Sequence, residues 1–437
     1  MKEKKIAVLG AGKSGVAAAR LGFREGASIS VRDNGSRGVD SATRASLHSS
    51  GIELLEGDAA LESAAACDLA VLSPGVDPRS ALACAFTDAG VPLVGEIEFA
   101  DRFNDRPVVA ITGTNGKTTT TEIVARILSA GGQRSVAAGN YGRAFSDVLL
   151  SLESYDVITL EVSSFQLESI VDFRPRISVW LNFAPDHLDR YKDLEEYREA
   201  KLRIFENQRA DDFAVINVRD EVGAIAPAVT TFSAFEGSGD YRLEGAEILF
   251  REEPICDFGS IRLRGRHNAE NLMAALEVGR LRGLSFPEME RAVSDYTPPA
   301  HRGEWVGNVA GHDFINDSKA TNLHALEQSL RSQREAVVLI AGGVEKGLDF
   351  ASISAAVKQK VSHVVAIGEC RGSILAAWAA TVACESAEGL EEAVSQAVAA
   401  AAPGQTVLFS PGTSSFDMFK SYEERGDFFR DIVNRQQ

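Results

Sequence analysis

The segment Val108–Leu128, VVAITGTNGKTTTTEIVARIL, constrains this chain more than any other part of it. A run of apolar, largely β-branched residues ends in a Gly-rich turn, and the turn opens a helix. Gly113 and Gly116 let backbone N–H groups close on an anion without a Cβ in the way. The helix N-terminus adds a positive partial charge and free N–H donors. Lys117 has the reach for β- and γ-phosphates, and the Thr118 hydroxyl suits Mg²⁺. Thr114, Asn115 and Thr119 complete the loop TGTNGKTT. The usual phosphate loop carries a Gly five residues before Gly116; Ile111 stands there, so this is a shorter form. An ordinary strand–turn–helix would explain the pattern but not the presence of a mechanism behind each residue. The segment reads as an ATP site.

Strand-like and helix-like runs alternate almost throughout, which implies an α/β chain with parallel sheets. At 437 residues the length suits two to four domains. Breaks at Asn104–Pro107 and Pro298–Pro299 help to divide it into blocks 1–97, 98–299 and 300–437. The expected architecture is a Rossmann-like first domain, a central ATPase domain of phosphate-loop type with a parallel sheet, and a Rossmann-like third domain. Residues 229–263 look short-stranded, a small β addition to the central block. The Ala-rich stretch 376–402 has helical spacing. A net charge of −17 argues against a nucleic-acid partner. Five cysteines without a CxxC pair read as reduced thiols of a cytoplasmic protein. The apolar run near the N-terminus breaks at Gly10, too early for a signal peptide, and no stretch reaches membrane-spanning length. With no coiled-coil seam, a monomer is expected.

Gly10-x-Gly12-x-x-Gly15 follows a strand and opens a helix, and Asp33 ends the next strand at the distance that suits a ribose hydroxyl. Alone this fingerprint suggests NAD. With a second phosphate loop on the chain it suggests a nucleotide-linked substrate beside ATP. Glu161 ends the apolar run VITLE, where a carboxylate faces the ligand crevice of a parallel sheet and can hold Mg²⁺. His187 lies in NFAPDHLDRY between Asp186 and Asp189. Lys201, on a charged amphipathic helix, reads from the residues alone as part of a solvated face.

Together with AGNYG, GRHNAENLMAAL, HRGE, INDSKATN, GGVEKGLDF and SPGTSSFDMFKSYEERG, these motifs make the chain resemble the Mur ligase family over nearly its whole length. That family joins amino acids to cell-wall precursors at the expense of ATP. The resemblance implies that the first domain holds the UDP part of a muramoyl substrate through Ser14, Gly15, Asp33, Asn34, Ser73, Pro74 and Gly75, with Asn140 seating the substrate near the γ-phosphate. It implies two Mg²⁺ ions, with His187 binding the second, and a carbamate on Lys201, which pairs with Tyr197 in a YxxxK pattern. Asn271 would meet the adenine, Asp317 the ribose and Arg302 the γ-phosphate, while Lys319 would lie near phosphate and incoming amino acid.

Within the family the likeness is to the members that add D-glutamate to UDP-N-acetylmuramoyl-L-alanine, a step of peptidoglycan synthesis. Two carboxylates of a free glutamate need cationic and hydroxyl partners. Lys346, Ser415 and backbone N–H groups at a helix start near 415 would supply them, with Thr321, Phe416 and Tyr422 beside them. Read without the family, Thr321 is a helix N-cap and 415–429 a capped helix with Phe416, Phe419 and Phe428 in the core. Gly412-Thr413 replace the family's more usual Ala-Cys, and Tyr422 stands where Phe is common. Three alternatives stay open at this point: an L-alanine-adding Mur ligase, a folylpolyglutamate ligase, and an NAD-dependent oxidoreductase.

Overall fold

The computed structural model describes residues 1–436 apart from 36, 37, 152, 188, 189, 264 and 334; Asp189 therefore lies outside the described residues. The chain forms two compact units. The first comprises Met1–Phe183, Lys192–Gly259 and Glu270–Ser294; the second comprises Ala184–Tyr191, Ser260–Ala269 and Asp295–Gln437.

The first unit holds two sheets. Five parallel strands lie in the order Glu53–Glu56, Ser28–Asp33, Lys5–Leu9, Leu69–Leu72, Leu93–Gly95. Their apolar faces, with Ile6, Val8, Val31 and Val71, are buried under helices, as parallel strands require. A nine-stranded sheet follows, in the order Glu253–Asp257, Glu247–Phe250, Tyr241–Glu244, Ala228–Ser233, Phe213–Asn217, Ile177–Trp180, Val108–Thr112, Val157–Glu161, Ser135–Gly139. The β addition expected at 229–263 is a continuation of this sheet: Ala228–Ser233 pairs in parallel with Phe213–Asn217, and the last two pairs are antiparallel.

Helix Glu96–Asp101 joins the two sheets. Its sequence, EIEFAD, carries three acidic residues, and two of them, Glu96 and Glu98, are buried. One Glu98 oxygen accepts N–H groups from Val171, Asp172 and Phe173, each at 2.9 Å, and the other accepts from Arg102 at 3.3 Å. A carboxylate so surrounded satisfies a whole turn of backbone donors. Asp101, on the same helix, is pushed up by burial from 3.8 to about 6. Its folded form thus binds more protons than its unfolded form between these two values. The stability that it contributes rises as pH falls from about 6 toward 4 and declines as pH rises through 6. Asp101→Asn is expected to flatten that part of the profile; thermal midpoints of both proteins at pH 7 and pH 5 check it, and an unchanged difference would contradict it.

The second unit is built on six strands in the order Glu304–Val309, His312–Asn316, Val407–Phe409, Val337–Gly342, Val361–Ile367, Ala383–Ser386. The first pair is antiparallel and the rest are parallel. The Ala-rich stretch 376–402 is not one helical surface: Arg371–Trp378 and Leu390–Ala400 are helices, and Ala383–Ser386 between them is an edge strand. Small residues fit either element, so spacing alone did not separate them. The last helix is Tyr422–Gln436, which packs Phe429, Ile432 and Val433 on Phe314 and Phe409. It does not begin at 415, because Ser421 accepts the Glu424 N–H as a cap, while Met418 and Phe419 N–H groups turn back onto the Ser415 carbonyl. Phe416 is accordingly 73% exposed, and Phe428 also faces outward, so neither is core. Among the described residues no helix is long and apolar enough to cross a membrane.

Candidate active site

Strand Val108–Thr112 is wholly buried and delivers the glycine loop at its C-terminal end. Gly116 has φ +85° and immediately precedes helix Lys117–Ala130; a Cβ there would sit 2.3 Å from the Asn271 side-chain oxygen. That contact is why the position needs glycine, and it brings Asn271 against the loop. Lys117 Nζ donates to the Gly113 and Thr114 carbonyls, both at 2.9 Å. Thr118 Oγ1 donates to one Glu161 oxygen at 2.7 Å, and Asn140 Nδ2 donates to the other at 2.7 Å. Glu161 is buried at its strand end, so this hydroxyl and amide hold a charge that would otherwise be costly there. Thr119 is buried on the first helical turn.

Lys201 is the largest departure from a reading of the residues alone. It is 1% exposed rather than part of a solvated face. Helix Leu194–Leu202 turns Tyr197, Ala200 and Lys201 inward; Lys201 Nζ donates to the Gly113 carbonyl at 2.8 Å and lies 4.8 Å from the centre of the Tyr197 ring. Asn182 was not singled out from sequence. It clamps the same loop, accepting from Asn115 N–H at 2.8 Å and donating back to the Asn115 carbonyl at 3.0 Å.

At the five-stranded sheet, three consecutive strand ends carry the expected groups. Gly10 has φ +97°, and a Cβ on Gly15 would lie 1.9 Å from the Gly10 carbonyl. Asp33 accepts from Ala11 N–H and Gly35 N–H, each at 2.8 Å, so its carboxylate organises the glycine turn itself. Ser73 is buried, Ser14 half-buried, and Asn34 and Gly75 exposed, with Pro74 between Ser73 and Gly75.

In the second unit the ends of strands His312–Asn316, Val337–Gly342 and Val407–Phe409 converge. Asp317 accepts from Ser410 Oγ at 2.9 Å and from Gly303 N–H at 3.1 Å. Burial raises its carboxyl to about 6, and the nearby Arg302 opposes that rise. Lys319 N–H donates to the His301 carbonyl at 3.0 Å, and its Nζ lies 3.7 Å from the Tyr422 ring centre. Ser415 is buried, whereas Lys346 is exposed on the loop after Gly342. Thr321 is not a helix cap: Asn322 holds that position, its side-chain oxygen accepting from Ala325 N–H at 2.8 Å. Arg425 escaped the sequence reading. It is fully buried, and its guanidinium donates to Ser318 Oγ and O and to the Thr413 carbonyl at 2.8–3.1 Å, lacing the 318 and 413 segments together. His187 belongs to this second unit, whereas Thr118, Glu161 and Lys201 belong to the first.

A parallel sheet, a glycine-built phosphate loop and a hydroxyl–carboxylate pair at the adjoining strand end define a nucleotide-phosphate-binding α/β protein. Comparison with known proteins narrows the class. Three family models match: a Mur ligase MurD-like N-terminal domain over residues 4–95, a Mur ligase middle domain over 111–279, and a Mur ligase glutamate ligase domain over 301–412. The chain is 38% identical to the UDP-N-acetylmuramoylalanine–D-glutamate ligase of Pelodictyon phaeoclathratiforme, covering 100% of this chain and 99% of the relative. It is 39% identical to the protein of that name from Shouchella clausii, covering 99% and 97%. Among solved structures, the UDP-N-acetylmuramate-alanine ligase of Thermotoga maritima shares the fold with a TM-score of 0.63 at 18% identity, over 100% of both chains. The MurF ligase of Thermotoga maritima, solved in complex with ADP, does so with a TM-score of 0.62 at 15% identity, over 100% of this chain and 96% of the other. The chain belongs to the Mur ligase family.

Proposed function

We propose that the chain joins D-glutamate to UDP-N-acetylmuramoyl-L-alanine in an ATP-driven reaction. The observation that carries this is the Thr118–Glu161–Asn140 cluster behind the glycine loop. The relatives' shared name supplies the choice of amino acid. The N-terminal model covers the Gly10–Gly15 fingerprint, which speaks for a Mur-type substrate domain and against the oxidoreductase alternative; the same MurD-like model speaks against the alanine-adding and folate alternatives.

The reaction takes two steps. A carboxylate oxygen of the UDP-linked substrate attacks the γ-phosphorus, the bond to the β-bridging oxygen breaks, and ADP leaves. The amine of D-glutamate, having lost a proton, then attacks the acyl carbon; phosphate leaves and the nitrogen gives up a second proton as the amide forms. Lys117 and Arg302 stabilise charge on the transferred phosphoryl group. Asn271 and Asp317 hold the adenosine, and Asn140 orients the attacking carboxylate. Lys319, Thr321, Lys346, Ser415, Phe416 and Tyr422 receive the amino acid. Ser14, Gly15, Asp33, Asn34, Ser73, Pro74 and Gly75 receive the UDP group.

The donors at the loop are hard oxygens, which suits Mg²⁺. Thr118, Glu161, His187 and Lys201 are the residues that would hold two such ions, whose chemistry is neutralisation of phosphate charge. CO₂ converts the neutral form of a lysine amine to a carbamate, and Lys201 is the residue proposed to carry it. Removing CO₂ and bicarbonate by dialysis is expected to lower activity, and bicarbonate to restore it; activity indifferent to both would contradict the carbamate. The protein is proposed to act as a cytoplasmic monomer with three domains, 1–97, 98–299 and 300–437.

Mass analysis of the product tests the reaction. With ATP, Mg²⁺ and D-glutamate, UDP-N-acetylmuramoyl-L-alanine is expected to gain one glutamyl residue. Recovery of unchanged substrate would overturn the assignment.

A further inference from the structure

Residues Ala184–Tyr191 follow a strand of the nine-stranded sheet, yet they pack within the second unit. Within them His187 has φ +56°, a left-handed backbone that a non-glycine residue adopts only under strain. Asp186 braces this turn, one carboxylate oxygen accepting the His187 N–H at 2.9 Å. The other oxygen accepts from Asn322 Nδ2 at 2.9 Å. Asn322 is 5% exposed, and its own oxygen caps helix Leu323–Ser332. Capping needs only an oxygen, which Asp or Ser supplies as well as Asn. Donating to Asp186 at the same time needs the amide nitrogen.

We infer that Asn322 is a positioning residue: through Asp186 it fixes the strained His187 turn to the segment that carries Lys319 and Thr321. The inference rests on the proposed roles of His187 and of that segment. One side chain thereby sets the spacing between a group assigned to the phosphate end of the reaction and the groups assigned to the amino acid.

Asn322→Asp isolates this role. It keeps the cap but turns a carboxylate on Asp186. Hydrogen exchange in the peptide spanning His187 is expected to speed up about tenfold, the scale of a coupled hydrogen-bonded pair, while helix Leu323–Ser332 keeps its protection. The Mg²⁺ concentration for half-maximal activity and the KM for D-glutamate are expected to rise by a similar factor. Combining Asn322→Asp with Asp186→Asn re-forms a donor–acceptor pair in the opposite sense, and is expected to restore both slow exchange and activity. Unchanged exchange in Asn322→Asp, or no recovery in the double variant, would overturn the tie. Faster exchange with unaltered Mg²⁺ and D-glutamate dependence would leave the tie as packing and overturn its positioning role. Failure of the underlying reaction assignment shows separately, as absence of D-glutamate-dependent turnover in the unaltered protein.

Discussion

Lys117→Ala is expected to lower turnover by roughly 10²–10³-fold, the cost of losing one preorganised donor to transition-state charge. The ammonium is held by the Gly113 and Thr114 carbonyls, both at 2.9 Å, on the loop proposed above to cradle phosphate. The residue opens helix Lys117–Ala130, where alanine is at least as good a helix former. Fold and thermal midpoint should therefore stay close to those of the unaltered protein. Lys117→Arg should rescue little, because a planar fork replaces a compact charge inside a tight loop. Steady-state phosphate release beside a thermal melt checks this; a fall of less than tenfold would remove Lys117 from the machinery.

Glu161→Gln is expected to cost about 10²-fold in turnover and to shift the Mg²⁺ dependence to higher concentration. The two glutamate oxygens meet Thr118 Oγ1 and Asn140 Nδ2 at 2.7 Å each. Glutamine keeps the volume and one acceptor, and the Thr118 hydroxyl can rotate to serve it. What disappears is the negative charge at the end of a buried strand. The loss should therefore appear in Mg²⁺ titrations of activity rather than in unfolding; a Mg²⁺ curve identical to that of the unaltered protein would contradict the assignment.

The phosphate loop was legible because its demands are local: glycine where a Cβ would strike Asn271 or Leu181, and Lys and Thr at the first helical turn. Glu161 was legible because a carboxylate ending an apolar strand has few bland explanations. Groups whose meaning depends on a distant partner were not. Glu98 looks like surface until residues 171–173 bring their N–H groups to it. Arg425 sits in a charged run, and only the converging 318 and 413 segments make it a buried brace. Lys201 looked solvated because helical spacing does not say which face meets the Gly113 carbonyl. The helix placed at 415 starts at Tyr422, because the serine whose hydroxyl accepts a first-turn N–H, that of Glu424, is Ser421.

Phosphate release with ATP, Mg²⁺ and UDP-N-acetylmuramoyl-L-alanine, with amino acids added one at a time, tests the central claim most directly. Release that requires D-glutamate, and fails with L-glutamate and L-alanine, is the predicted result. Release supported by another amino acid and not by D-glutamate, or by none, would contradict it.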